Sequence, residues 1–179
     1  GMDVLTHAIE AYVAVYASDF TDGLALHAIK LVFKYLVKSY NGDAKAREKM
    51  HNASCLAGMA FTNSFLGLNH SMAHKLGAAY NIPHGRANTV LLPYVIEYNA
   101  QKPTKFTAFP KYEKFIADER YAEIAREAGL PASTTEEGVK NLIQAIRDLN
   151  KQLHEPASIK ECGVDEKQFM DGLMELSDK

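Results

Sequence analysis

At the centre of this chain stands the stretch Gly67-Leu68-Asn69-His70-Ser71-Met72-Ala73-His74-Lys75-Leu76-Gly77, followed closely by Asn81-Ile82-Pro83-His84-Gly85. It holds three of the chain's seven histidines within fifteen residues. His70 and His74 are four residues apart, so on a helix they share one face. The break from Gly77 to Pro83 lets the chain turn and bring His84 back to them. The spacing therefore predicts a metal site built largely from local sequence.

A second pair of candidate ligands lies at the start of the chain. Asp3 and His7 are also four residues apart in an amphipathic pattern. Together the two regions offer five candidates, which are Asp3, His7, His70, His74 and His84. Neutral imidazoles with one carboxylate suit Fe(II), Zn(II) or a similar divalent ion. Four protein ligands would leave one position of a five-coordinate ion open, and an open position is typical of a catalytic metal site.

Other interpretations of these residues stay open at this stage. A single histidine pair four residues apart is more often part of the surface or core than of a metal site, and Asp3 also suits the first turn of any helix. Glu48 and His51 form one Glu-x-x-His motif, whereas a di-iron bundle needs two. The His70-x-x-x-His74 spacing matches a zinc protease, but Ser71 replaces the general-base glutamate. His27, His51 and His154 are interpreted as ordinary side chains.

Composition bounds the class of protein. The 179 residues are 47% hydrophobic and 23% charged, which is enough for one globular domain with a sizeable core. The net charge of -2 gives no reason to expect nucleic acid or an anionic membrane as a partner. Cys55 and Cys162 lie far apart, which excludes a cysteine-rich zinc module and favours a reducing, cytoplasmic setting. Polar residues interrupt the apolar run from Ala53 to Leu68, so it is expected to be a buried helix.

Apolar residues at helical spacing predict the first half of the fold. They indicate a first helix that reaches about Ala17 and a second that carries Leu24 to Leu36, with stop and cap residues at Ser18-Asp19 and Thr21-Asp22. Asp43 is expected to cap a long third helix. A histidine helix from Asn69 to Ala79 follows, and Pro93 is expected to kink or divide the apolar segment 83–99.

The second half has a different character. Gln101 to Lys114 is expected to be an extended loop, and the next amphipathic helix, around Tyr121, ends at Gly129 and Pro131. Capping boxes are predicted at Ser133 with Glu136, before a helix that reaches Leu153, and at Asp165 with Gln168. The fold class is all-α, with eight or nine helices. Neither Gly-x-Gly-x-x-Gly nor a P-loop motif occurs, so the chain itself carries no nucleotide-binding fold.

Three motifs and two further segments resemble one known family. The motifs are Gly1-Met2-Asp3-Val4-Leu5-Thr6-His7-Ala8-Ile9-Glu10-Ala11-Tyr12, His70-Ser71-Met72-Ala73-His74-Lys75-Leu76-Gly77 and Ile82-Pro83-His84-Gly85. They resemble the iron-containing (group III) alcohol dehydrogenases, with most likeness to the alcohol dehydrogenase half of the bifunctional aldehyde–alcohol dehydrogenases. Residues 99–109 and 120–125 are also similar to that half.

The resemblance implies roles for particular residues. The family's metal ligands fall on Asp3, His7, His70 and His84. His74 matches a histidine that is not a ligand, lines the substrate and nicotinamide side, and helps to relay a proton as the catalytic residue. Phe61 and Leu66 match positions that wall the substrate pocket.

The resemblance also implies domain organisation and activity. Residues 1–179 are expected to form a single helical metal-binding domain, a fragment of a longer parent whose NAD-binding domain precedes Gly1 and whose C-terminal end continues past Lys179. The implied enzyme is a cytoplasmic, fermentative, NAD-dependent alcohol dehydrogenase that reduces short aldehydes such as acetaldehyde. Its cofactors are Fe(II), with Zn(II) as the alternative, and NAD(H) bound mainly by the other domain. A homo-oligomer is expected.

Two functional hypotheses follow for the chain itself. The first is the metal-binding half of that dehydrogenase, inactive in isolation and with an apolar face where the NAD-binding domain or a second copy packs. The second is a non-catalytic all-α fragment or assembly module, which the lack of a nucleotide-binding motif favours.

Overall fold

The computed structural model of this chain describes residues 1–104 and 114–177, with side chains through Asp171. Every regular element in these ranges is helical, which confirms the all-α prediction. The α-helices are α1 (Met2–Val13), α2 (Asp19–Tyr40), α3 (Ala44–Ser64), α4 (Leu68–Tyr80), α5 (His84–Asn99), α6 (Ala117–Glu127), α7 (Thr135–Gln152) and α8 (Glu166–Ser177). A short 3-10 helix at Lys160–Cys162 lies between α7 and α8.

Helix α1 lies at the centre of the packing, in contact with α2, α3, α5 and α6. Leu5, Ile9 and Tyr12 recur at helical spacing on one of its faces, and all three are buried. They join apolar residues of α2, α3, α5, α6 and α7 in one cluster, here called the main core. Asp3, His7 and Glu10 of the same helix contact α4 or α5 instead, so α1 connects the main core to the candidate site.

The end of α1 differs from the sequence prediction. The helix ends at Val13 rather than near Ala17, and Ala14 has extended backbone. The Arg120 guanidinium donates to the Tyr12 carbonyl oxygen through Nε at 2.9 Å and through Nη2 at 2.5 Å. In a continuing helix that carbonyl would accept from the Tyr16 amide. The prediction of a longer helix is wrong because a side chain far away in sequence satisfies this carbonyl.

The predicted caps of α2 and α3 are confirmed. The Ser18 hydroxyl accepts from the Thr21 amide at 3.4 Å, and the Thr21 hydroxyl accepts from the Ser18 amide at 2.8 Å. The Asp43 carboxylate accepts from the Ala46 amide at 3.0 Å. Because each cap satisfies amides that would otherwise lack a partner, the two starts are fixed by local sequence.

Helices α4 and α5 form a pair beside the main core. Helix α4 extends one residue beyond the predicted histidine helix at each end. The sequence predicts that Pro93 kinks or divides the segment, and the second of these outcomes is wrong, because α5 is one helix with Pro93 inside it. Proline cannot donate to the Thr89 carbonyl four residues earlier, but the Asn150 side chain does so at 3.3 Å. A side chain from α7 thus replaces the missing hydrogen bond.

The α4–α5 pair has its own apolar cluster, here called the small core. It consists of Ala73, Leu76, Ile82, Ala87, Leu91, Val95 and Val164. Helix α5 contributes to both clusters, since its Leu92 and Ile96 belong to the main core. This shared helix fixes the start of α4 and of α5 relative to α1.

The C-terminal helices largely follow the sequence prediction. Helix α6 is followed by Gly129 at φ +78, as the predicted glycine stop requires. The cap of α7 lies one residue later than predicted, since the Thr134 hydroxyl accepts from the Glu137 amide at 3.1 Å. The Glu137 carboxylate in turn accepts from the Ser133 amide at 2.6 Å, so the box predicted at Ser133 and Glu136 is corrected.

The remaining predictions for this half concern a cap and a loop. The cap at Asp165 is confirmed, because its carboxylate accepts from the Gln168 amide at 2.8 Å. Residues 101–104 are not helical, and the rest of the predicted loop, 105–113, lies outside the described residues. Among the described helices, none combines the length and the apolar character needed to cross a lipid bilayer.

Candidate metal centre

Helix α1 contributes Asp3 and His7, one turn apart on the same face. The His7 Nδ1 lies 2.7 Å from the Asp3 backbone carbonyl oxygen. A carbonyl oxygen only accepts, so Nδ1 donates its hydrogen and the Nε2 lone pair of His7 stays available. Burial lowers the pKa of His7 below its ordinary value near 6.5, and the neighbouring His70 adds to that effect. The imidazole is therefore held neutral, the form that binds metals.

The starts of α4 and α5 contribute the other two side chains. His70 lies in the first turn of α4 and His84 is the first residue of α5. The chain reverses between the two helices at Asn81, which ends α4 in the left-handed region at φ 53, and Pro83 precedes α5. The reversal that the sequence indicated therefore brings both helix starts to the same place beside α1.

Asp3, His7, His70 and His84 converge. Each offers one ligand atom, and these four atoms all lie within 4.8 Å of one another. The Asp3 Oδ1 lies 4.0 Å from the His70 Nε2 and 3.7 Å from the His84 Nε2. Two ligands opposite each other on one ion are at most about 4.4 Å apart for bonds of ~2.2 Å, so the two distances from Asp3 suit a common cation.

One side-chain amide, that of Asn88, lies within hydrogen-bonding distance of three of the four candidate ligands. The Asn88 Nδ2 lies 2.7 Å from the Asp3 Oδ1 and 3.1 Å from the Nε2 atoms of His70 and His84. An amide nitrogen carries two hydrogens and cannot satisfy three acceptors. With the Nε2 of both imidazoles unprotonated, Asn88 leaves at least one of these three acceptors without a hydrogen, and this chemistry fits a divalent ion.

His74 lies at the rim of this group and is not one of the four clustered ligands. It is exposed, and its ring stacks on that of His84 with centroids 5.1 Å apart. Its ring lies farther from His70, at 6.2 Å between centroids. A solvent-accessible imidazole beside a ligand can exchange protons with water, which suits a proton relay rather than coordination.

The two residues predicted to line the substrate pocket are both half-buried. Phe61, in the last turn of α3, packs against His7 with ring centroids 4.6 Å apart. Leu66 lies in the connection between α3 and α4. The Phe61 ring therefore shields one side of the ligand group, and Leu66 lies on the same stretch of chain that leads to His70.

Sequence reasoning missed three buried polar residues that hydrogen-bond to one another or to the ligand His70, namely Glu10, Asn69 and Asn88. Glu10, Asn69, His70 and Asn88 are buried and joined by hydrogen bonds, and this group is here called the polar seam. Glu10 follows Asp3 and His7 at positions i+7 and i+3, a helical spacing that places all three on one side of α1. Asn88 likewise follows His84 by four residues on α5, and these helical spacings were the available signals, because the bonds of Glu10 and Asn69 join residues far apart in sequence.

The fold and the convergent side chains define a helical domain with a candidate divalent-metal centre between α1, α4 and α5. Residues 1–174 match the Fe-containing alcohol dehydrogenase family, C-terminal domain, and the chain belongs to that family.

Individual relatives agree with this assignment. The chain is 55% identical over 178 residues to the aldehyde-alcohol dehydrogenase of Streptococcus pneumoniae, covering 99% of this chain and 20% of that protein. The structure of the iron containing alcohol dehydrogenase from Thermococcus thioreducens matches with a TM-score of 0.81 and 41% identity, over 99% of this chain and 41% of the other. The structure of sulfoacetaldehyde reductase from Bifidobacterium kashiwanohense in complex with NAD+ matches with a TM-score of 0.77 and 31% identity. The match covers 97% of this chain and 41% of the other. The chain thus spans between one fifth and about two fifths of these relatives.

Proposed function

We propose that this chain is the metal-binding part of an NAD-linked alcohol dehydrogenase that reduces short aldehydes to primary alcohols. The observation that carries the proposal is the convergence of Asp3, His7, His70 and His84 from three separate helices. The family to which the chain belongs, and the alcohol dehydrogenases among its relatives, support the reaction class.

The proposed ion is Fe(II), with Zn(II) as the alternative, held by these four residues. Three imidazoles and one carboxylate suit either ion, and the family description favours iron. A divalent ion held there would supply Lewis acidity toward an aldehyde oxygen, and NAD(H) would supply the hydride. The Asp3 carboxylate reduces the net positive charge of such a centre.

The chain's own residues would handle protons and water around the substrate. His74 is exposed and stacked on His84, so it is placed to pass a proton between solvent and an alcohol oxygen near the ligands. Phe61 packs on His7 and would keep water from that side of the substrate, and Leu66 would extend the same apolar wall. We propose His74 as the catalytic residue and Phe61 and Leu66 as pocket residues.

The proposed partners are an NAD-binding domain and further copies of the protein. Most of the length of the relatives lies outside the part that this chain matches. Exposed apolar side chains at the end of α1 and around the start of α4 offer a surface on which such a domain would pack. Tyr16 and Phe65 are 54% and 62% exposed and contact each other edge to face, and Leu68 and Met72 are exposed one turn apart on α4. The proposed setting of the enzyme is the cytoplasm, in fermentation.

Metal analysis tests the proposed site directly. The purified chain, reconstituted with Fe(II) without oxygen or with Zn(II), is expected to hold about one ion. The double variant His70→Ala/His84→Ala is expected to hold none. The matched control His27→Ala/His51→Ala removes two exposed histidines of α2 and α3 and is expected to keep the ion. Equal metal content in all three proteins would contradict the site.

A second measurement separates the dehydrogenase from a non-catalytic module. The 179-residue chain is expected to oxidise no NADH with acetaldehyde. The same chain, joined to an NAD-binding domain of a relative, is expected to do so, and to lose the activity when His84 is replaced. A fusion that binds metal and NADH but reduces no aldehyde would favour the non-catalytic alternative.

A further inference from the structure

Glu10 is a buried carboxylate that the proposed reaction does not use. It lies on α1 and is 3% exposed. Its side chain reaches the start of α4, where Oε1 accepts from the Asn69 amide at 2.7 Å and Oε2 accepts from the His70 amide at 3.2 Å. Oε2 also lies 2.5 Å from the His70 Nδ1. One carboxylate thus meets three nitrogen atoms of two consecutive residues.

These contacts replace a missing cap. Helix α4 begins after Gly67, which has no side chain to accept from the first amides. Glu10 supplies that acceptor from 59 residues away, and its negative charge lies at the positive end of the α4 dipole. The α4 start and the α1 side that carries Asp3 and His7 are therefore tied together at this carboxylate.

Gly67 makes the approach of Glu10 feasible. A Cβ atom at Gly67 would lie 3.0 Å from the Glu10 Oε1 and 3.7 Å from its Cδ. That spacing is tighter than ordinary van der Waals contact, so an alanine would push the carboxylate away from the α4 amides. The position of the Glu10 carboxylate therefore depends on the absence of a side chain at Gly67.

We propose that Glu10 is a positioning residue that sets the tautomer of His70, an inference that rests on the proposed metal site. A carboxylate bonded to two amides accepts hydrogens and offers none. The His70 Nδ1 therefore carries the ring hydrogen and donates it to Glu10. This leaves the His70 Nε2 as a lone pair, and Nε2 is the atom on the side of Asp3 and Asn88. A carboxylate behind a ligating histidine also raises the basicity of the ligand.

Glu10→Gln inverts this hydrogen bond with little change in size. The oxygen of the substituted amide keeps an acceptor for the Asn69 amide, while its NH2 group faces the His70 Nδ1 and no longer accepts from the His70 backbone amide. That arrangement favours the tautomer with the hydrogen on Nε2, which cannot coordinate an ion. We expect the dissociation constant for Zn(II), measured by titration calorimetry on the 179-residue chain, to rise about 10- to 100-fold. The helical circular dichroism is expected to be retained.

Nitrogen-15 spectra of His70 without metal provide a readout that a purely structural role would not change. The unsubstituted chain is expected to show a protonated Nδ1 and an unprotonated Nε2, and the Glu10→Gln variant the reverse. The matched control Glu127→Gln alters a carboxylate of α6 that pairs with Lys30 of α2. It is expected to change neither the nitrogen-15 spectra of His70 nor the dissociation constant for Zn(II). Gly67→Ala keeps the Glu10 charge and is expected to weaken Zn(II) binding to an intermediate degree, which tests the proposal even where Glu10→Gln unfolds.

The outcomes separate this inference from the proposed function. A folded Glu10→Gln chain with an unchanged His70 tautomer and Zn(II) affinity within twofold overturns the role of Glu10, while the metal site stands. An unsubstituted chain that binds neither Fe(II) nor Zn(II) overturns the proposed function. In that case the nitrogen-15 spectra still decide whether Glu10 sets the tautomer.

Discussion

The main core and the polar seam are both buried and share α1, but they are stabilised differently. In the main core, residues such as Leu5, Ile9 and Ile146 contact many apolar neighbours, and no single contact has a required direction. In the polar seam, each of Glu10, Asn69 and Asn88 has a small number of directional partners. Loss of one partner there leaves a buried donor or acceptor unsatisfied, which costs free energy that neighbouring side chains cannot restore.

The difference shows how the molecule separates stability from chemistry. The main core draws on six helices, so we expect a lost methyl group there to lower the free energy of unfolding and to leave the direction of the ligand atoms unchanged. The polar seam directs the lone pairs of His70 and of its neighbours, so a small change there alters the candidate site. We therefore expect substitutions in the two regions to affect different measurements.

The largest loss of stability is expected in the main core. Ile146 on α7 is fully buried and far along the chain from the ligands. Ile146→Ala is expected to lower the free energy of unfolding by about 2–5 kcal/mol, and Ile146→Val by about 0.5–1.5 kcal/mol, because cavity size grades the cost. Guanidinium unfolding measures both. Zn(II) affinity of the folded variants is expected to stay within twofold, and a large drop for either variant would break the proposed separation.

A substitution in the polar seam is expected to lower the free energy of unfolding by less, and the loss is expected to depend on an unsatisfied hydrogen bond rather than on cavity size. Asn69→Ala removes the donor that lies 2.9 Å from the Asn88 Oδ1 in a buried position. The unsatisfied acceptor is expected to lower the free energy of unfolding by about 1–3 kcal/mol and to weaken Zn(II) binding, since Asn88 then loses its fixed orientation. Asn52→Ala, on the exposed side of α3, is the control and is expected to stay within about 0.5 kcal/mol. Unchanged metal affinity in Asn69→Ala would show that the seam supports only the fold.

Two helical glycines, one at a close helix contact and one in open space, separate the effect of packing from that of backbone freedom. A Cβ at Gly138 would lie 2.8 Å from the Ala122 Cα, so α6 and α7 approach each other closely there. Gly138→Ala is expected to lower the free energy of unfolding by about 1–3 kcal/mol through overpacking. At Gly23, where no atom lies within 4 Å of the added Cβ, the same substitution is expected to raise it by about 0.5–1 kcal/mol. Thermal unfolding of the two variants should therefore shift in opposite directions.

The smallest effect concerns pH. Burial raises the pKa of Tyr121 above its ordinary value near 10, because the main core disfavours the phenolate. The folded state then binds more protons than the unfolded state at alkaline pH. The contribution of neutral Tyr121 to the free energy of unfolding is therefore fully present below pH 10 and is lost as the pH rises above that value. Tyr121→Phe is expected to reduce this alkaline loss, measured as the difference between unfolding midpoints at pH 8 and pH 10.5. Tyr98→Phe, at an exposed position, should leave the difference unchanged.

Much of the fold was predictable because its signals are local. The caps at Ser18, Asp43 and Asp165 require partners three residues away, and sequence spacing reveals them. The predictions failed where a distant side chain intervened. Arg120 takes the Tyr12 carbonyl and ends α1 early, and Asn150 satisfies Thr89 and keeps α5 continuous past Pro93. Neither hydrogen bond can be predicted from the spacing of apolar residues, because each joins residues far apart in sequence.

The features of the candidate site also divide into those predicted from local sequence and those set by contacts between distant residues. By itself, the sequence determined that Asp3 and His7 share a helix face, that His70 and His74 share another, and that a turn precedes His84, because helix periodicity and a glycine–proline break fix these relations. Residue spacing left open which of the distant imidazoles meet Asp3 and which carboxylate lies behind His70, and the tertiary structure decided both. The packing of α4 and α5 against α1 brings Glu10 within hydrogen-bonding distance of residues about 60 positions away, and periodicity carries no information over that separation.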